Sequence, residues 1–151
     1  MKKAGIILII LIVLIIVVIA GFFGFNYFTN SSPYKLTSSN VMNPVDFLTP
    51  GGIKQIADTY TDSENGVNFN VRVMQFSNEQ DAVNGISKME ELYNPAMIGI
   101  NGKYVKYKET SQGSHMFYYK SGKNIIFMEY SGDKTFGDNF IFWFYSKYPN
   151  E

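Results

Sequence analysis

The chain has no cysteine, one histidine and one tryptophan, and its 13 basic residues are matched by 13 acidic ones among 151. Each of these shortages excludes something. Without cysteine there is no disulfide staple, no thiolate-held zinc and no lipid-modified thiol, so stability has to come from an apolar core. The lone His115, in the stretch Gln112-Gly113-Ser114-His115-Met116-Phe117, cannot by itself build a structural zinc site or the usual catalytic dyads and triads. Its expected place is at the start of a strand beside a turn.

No glycine-rich loop ends in Lys-Ser or Lys-Thr, so the sequence has no phosphate cradle. The acidic run Asp58, Asp62 and Glu64 invites a calcium reading, but a loop opening at Asp62 would need Gly at its sixth position and Glu at its twelfth. Val67 and Val73 stand there, so a solvated hairpin turn is the expected structure. Glu90 and Glu91 read as the solvent face of a helix. A carboxylate-dependent hydrolase would need two facing carboxylates, with Glu109 and Glu129 as candidates, and nothing in the spacing brings them together. The expectation is therefore no catalytic residues, no metal and no cofactor. Beyond Asn26 the chain carries 11 basic and 13 acidic residues, a net of −2, which argues against nucleic acid as a partner.

What the sequence does have is an apolar beginning. Ala4 to Phe25 is 22 residues without a charge, roughly 33 Å as a helix and enough to cross a bilayer. Lys2 and Lys3 precede it and no basic residue follows until Lys35, so the N-terminus is expected in the cytoplasm and the rest outside, in a single-pass protein of the cell membrane. Tyr27 and Phe28 fall where an interfacial aromatic belt would lie. The rival reading is a secreted chain cleaved near Ala20, but Val18 is a poor residue for the −3 position and apolar residues continue past that site. Ala20 and Gly24 form one small-xxx-small pair, read here as ordinary glycine tolerance. Asn30-Ser31-Ser32 is the only glycosylation acceptor pattern, and it matters only in a host with that machinery.

Residues 26–52, rich in Ser and Thr with Pro33, Pro44 and Pro50, read as a tether. Residues 53–151 read as a small α+β domain, with an antiparallel sheet in the order β-β-α-β-β-β-α and both helices on one face. Asn65-Gly66 signals a hairpin turn. After it Val67, Phe69, Val71 and Val73 alternate with Asn68, Asn70 and Arg72. A helix is expected from Ser77, capped by that residue and by Gln80, with Val83, Ile86 and Met89 covering the valine and phenylalanine face. Three further strands are expected at 103–110, 116–120 and 124–130.

The C-terminal stretch around Phe140-Ile141-Phe142-Trp143-Phe144-Tyr145 is expected as a second helix, with Thr135 and Asp138 as its capping box and its aromatics in the core rather than on a membrane; its strong β-propensity makes an edge strand the competing reading. A near-repeat supports it. Asn70-Val71-Arg72-Val73-Met74-Gln75-Phe76-Ser77 matches Asn124-Ile125-Ile126-Phe127-Met128-Glu129-Tyr130-Ser131 at an offset of 54 residues.

One candidate binding surface emerges. Tyr104, Tyr107, Tyr118 and Tyr119 are interleaved with Lys106 and Lys108 on consecutive strands, where tyrosine makes rigid, amphipathic contacts. The competing explanation is a half-buried sheet with lysines guarding its edge. The functional expectation is a membrane-anchored extracytoplasmic module that uses residues 4–25 to hold the bilayer and binds a protein or envelope component. An extracytoplasmic ligand-binding or sensory domain is the second reading.

Overall fold

Seven strands and two helices account for most of residues 32–44 and 51–150, the residues described by the computed structural model. The expected membrane span at 4–25, the Ala20 cleavage site and the Asn30 acceptor lie outside them. The elements are β1 (Tyr34–Met42), β2 (Gly52–Asp62), β3 (Asn68–Phe76), α1 (Glu79–Tyr93), β4 (Ala96–Ile100), β5 (Lys103–Glu109), β6 (Ser114–Ser121), β7 (Asn124–Ser131) and α2 (Lys134–Phe144). They form a single antiparallel sheet in the order β1-β2-β3-β7-β6-β5-β4. Two strands exceed the expected set. β1 takes nine residues from the stretch read as tether, so the compact unit begins at Tyr34 rather than Ile53. β4 is a five-residue edge too short to show a period.

Turn chemistry fixes the hairpins. The two-residue turn that Asn-Gly favours occurs at Asn101-Gly102, where both residues take positive φ, +48° and +79°, between the paired Ile100 and Lys103. Asn65-Gly66 instead belongs to a longer loop, and of the two only Gly66 has positive φ. Asp62 organises that loop. Its carboxylate accepts the N–H groups of Glu64 (2.8 Å) and Asn65 (3.2 Å) and the Asn65 side-chain amide (2.8 Å). Burial alone would raise this carboxyl; the three hydrogen bonds overcome that and hold it below the ordinary 3.8. A folded value below the unfolded one means stability that is complete above the unfolded value and lost as pH falls through the lower, folded one. Denaturant midpoints measured from neutral pH down through the carboxylate range should therefore fall less steeply for Asp62→Asn than for the parent.

The two helices lie on opposite faces of the sheet, which corrects the single-face expectation. α1 buries Ala82, Gly85 and Met89 against Met74, Phe76, Met116, Tyr118, Ile125 and Phe127, not against Val67, Phe69, Val71 and Val73. Val83, expected in its stripe, is 42% exposed. α2 buries Phe140, Ile141 and Phe144 on the other face, against Tyr60, Phe69, Val71, Val73, Met128 and Tyr130.

The near-repeat explains this. β3 and β7 are adjacent at the sheet centre, and Val73 lies opposite Ile126 rather than opposite its counterpart Phe127. Facing residues share a side of the sheet, so this one-residue offset turns equivalent positions to opposite faces. Met74 and Phe76 thus lie under α1, while their counterparts Met128 and Tyr130 lie under α2. Each copy of the motif carries its own helix on its own side.

The helix ends differ from expectation by one or two residues. Asn78, not Ser77, caps α1, its side chain accepting the Asp81 N–H at 2.9 Å, and Asn94 closes the helix in a left-handed conformation just before Pro95. Asp133, not Thr135, caps α2 and accepts both the N–H (2.8 Å) and the hydroxyl (2.6 Å) of Thr135. Trp143 is half-buried, with ring centroids of Tyr34 at 5.0 Å and Phe140 at 5.4 Å and the Lys147 ammonium 4.8 Å from its own. Beyond α2 the chain crosses the same face, where Tyr119 Oη donates to the Tyr148 carbonyl (2.8 Å) and the Asn150 amide to the Tyr104 carbonyl (2.8 Å).

Candidate functional site

The tyrosines and lysines singled out from the sequence do not form one surface. Alternation along β5 and β6 splits them between the two sides of the sheet. Tyr118 lies fully buried under α1 and Tyr119 is buried on the α2 side, beneath the C-terminal segment. Burial first, then the charge of Glu90, pushes the pKa of the Tyr118 phenol up and keeps it un-ionised. Tyr107 hydrogen-bonds His115 at 2.9 Å, and only Tyr104, 70% exposed, faces water freely. The lysines are committed to α1. Lys106 pairs with Glu90 at 2.7 Å, and Lys108 donates to the Tyr93 carbonyl at 2.6 Å, at the negative end of the helix.

His115 is likewise occupied. It is buried, with Nε2 2.9 Å from the Gly132 carbonyl. That contact places a ring proton on Nε2, which leaves Nδ1 to accept a hydrogen bond from the Tyr107 hydroxyl. Its ring stacks on Tyr107 and Tyr130. Glu109 faces the α2 side, opposite His115, whereas Glu129 faces the α1 side, opposite Met116. The two candidate carboxylates are thus on opposite faces. Among the described residues no group of three His, Cys, Asp or Glu side chains is placed to hold a metal ion, and no helix is long and apolar enough to cross a membrane.

The surface that does assemble is polar. α1 covers only part of its face of the sheet. The rest carries Thr59 and Thr61 from β2, Asn68 and Asn70 from β3, Glu129 and Ser131 from β7, and Ser114 from β6. The ladder places these side by side: Thr59 opposite Asn70, Asn70 opposite Glu129, Thr61 opposite Asn68, and Ser114 opposite Ser131. They bond to one another across the strands, Thr59 to Asn70 at 3.2 Å, Thr61 to Asn68 at 2.7 Å and Ser114 to Ser131 at 3.1 Å. Thr37 of β1 adds a contact of 3.3 Å to Thr61.

Pairing between β3 and β7 ends at Asn70 and Glu129, although both strands run two residues further. A groove of about 560 Å³ opens there, lined by Gly66, Asn68, Asn70, Ser114, Glu129 and Ser131 among others. Arg72 stands on the same face, one row nearer α1, its guanidinium 6.0 Å from the centroid of the Phe127 ring. The arrangement offers short hydroxyls and amides held in place by their neighbours, with one carboxylate and one guanidinium at hand. Such groups hydrogen-bond a neutral polar chain. The signal for half of this surface was in the sequence, in the alternation of Asn68, Asn70 and Arg72 with apolar residues. That Thr59, Thr61, Glu129 and Ser131 join them needed the register.

No protein-family model, no curated protein and no solved structure matches this chain.

Proposed function

We propose that the chain is a single-pass membrane protein whose domain lies outside the cell and binds an envelope polymer rich in hydroxyl and amide groups. The observation that carries the binding role is the uncovered polar sheet face, where Thr59, Thr61, Asn68 and Asn70 are pre-positioned by their own hydrogen bonds. Side chains already held in one arrangement lose little freedom on binding, so even weak polar contacts add to affinity. The charge-free stretch at 4–25 supports the anchor, and the net charge of −2 beyond it fits a neutral rather than an anionic ligand.

The test is co-sedimentation of the detergent-extracted chain with insoluble envelope material. Asn70→Arg and Glu129→Arg put long cations on the platform and should each reduce the bound fraction about tenfold. Lys88→Ala, on an exposed position of α1, should leave it unchanged. Equal sedimentation of all four chains would show that this face is not the binding surface. Protease added to intact cells should remove the domain; protection of it would reverse the orientation.

A further inference from the structure

We infer that β1 is a self-pairing edge, and that two copies of this chain join β1 to β1 in antiparallel register about Ser39. Among the described residues β1 has a strand neighbour, β2, on one side only, and eight of its nine residues are exposed. An edge of this length is normally blunted by charge, by proline or by shortness. The opposite edge follows that rule, since β4 has five residues and comes directly after Pro95. β1 does not follow it. Its one charge, Lys35, lies next to its first residue, and Pro33 and Pro44 fall outside the strand, bounding the edge without blocking it.

The pattern on β1 is self-complementary. A bulge between Leu36 and Ser38 leaves Tyr34, Leu36, Ser39 and Val41 on the α2 side, facing their partners Asp62, Tyr60, Asp58 and Ile56. Lys35, Ser38, Asn40 and Met42 occupy the other side. Leu36 and Val41 are 53% and 69% exposed, which is costly for large aliphatic side chains on an open edge.

Antiparallel pairing about Ser39 sets Leu36 of one copy opposite Val41 of the other, twice, and Ser38 opposite Asn40. Lys35 meets Met42, so no like charges face each other. Such a contact is isologous and uses up the edge, so it closes as a dimer and does not propagate. A lipid surface would cover Leu36 and Val41 but would leave the edge N–H and C=O groups without partners; a second copy satisfies both. The inference stands on β1 alone, whatever binds the polar face.

A chain without cysteine makes the test direct. Facing residues of antiparallel strands have Cα atoms about 4.5–5.5 Å apart, within disulfide range. The full-length chain carrying Ser39→Cys, oxidised mildly in its own membranes, should run as a covalent dimer at about twice 17.2 kDa. It should form about tenfold faster than the dimer of Ser87→Cys, an exposed position of α1. Leu36→Cys and Val41→Cys chains mixed together should cross-link more than either alone. Val41→Lys, added to Ser39→Cys, should cut the dimer about tenfold; Val41 is exposed, so the fold survives the change.

Three results would overturn the inference. One is a Ser39→Cys rate no higher than the control. Another is a dimer indifferent to Val41→Lys, which would move the contact elsewhere, such as to residues 4–25. The third is a Ser39→Cys chain that stays monomeric, its thiol shielded from maleimide in membranes but not in detergent, which would assign the edge to lipid.

Discussion

Phe140→Ala is expected to lower the unfolding free energy of the domain by about 4 kcal/mol. The ring is 1% exposed and stacks on Phe69 with centroids 4.2 Å apart and planes 11° from parallel. Tyr34, Tyr60, Trp143 and Phe144 surround it at 5.0 to 5.6 Å. Its loss would leave a hole walled by rings, which are stiff and cannot collapse into it, and would remove aromatic contacts that add to the burial itself. The midpoint of urea unfolding should be read by far-ultraviolet circular dichroism, because Trp143 is too close to Phe140 for its emission to be a neutral probe. Phe142→Ala, two residues along the same helix but 55% exposed, should change stability by no more than about 0.5 kcal/mol. Equal effects at the two positions would mean that α2 does not dock as described.

Gly137→Ala is the second large effect, and it comes from adding a single methyl. A Cβ at this position would lie 2.5 Å from both Cε1 and Oη of Tyr130 and 2.7 Å from its Cζ. Tyr130 cannot move aside. Its hydroxyl donates to the carbonyls of Asp133 (3.1 Å) and Lys134 (3.0 Å), and its ring packs against Phe69, His115 and Phe117. Alanine is the better helix former by roughly 1 kcal/mol, yet overpacking against a fixed ring should outweigh that and leave a net loss of about 2–3 kcal/mol. The double variant Gly137→Ala with Tyr130→Leu should lose less than the two single variants added together, since the smaller leucine removes the clash and the added methyl fills part of the space the ring leaves. Strict additivity in the same urea measurement would show that α2 does not approach β7 this closely.

The candidate site was half legible. Alternation along the strand after Gly66 placed Asn68, Asn70 and Arg72 on a common polar face, because the two-residue repeat of a strand is a local property. The partners from β2, β6 and β7 come from distant parts of the chain and are joined to it only by pairing. The tyrosine and lysine set failed for a related reason. A strand of alternating side chains presents one half of any such cluster to each face, and both faces of this sheet are covered at these positions, so Tyr118 lies under α1 and Tyr119 under the segment that follows α2.

By itself the sequence determined much of the local structure of this protein: the alternating strand after Gly66, the helix that follows it, the strands near 103–110, 116–120 and 124–130, and a core built from aromatics in the absence of disulfides. Each follows from the residues within one turn or one strand. The tertiary structure alone decided which face each helix covers. That choice rests on Val73 lying opposite Ile126 instead of Phe127, a shift of one residue that no local preference selects. Because side chains alternate along a strand, that single step sends two nearly identical motifs to opposite sides of the sheet. α1 then lies across one side, where it leaves the polar half-face open, while α2 and the aromatic core fill the other.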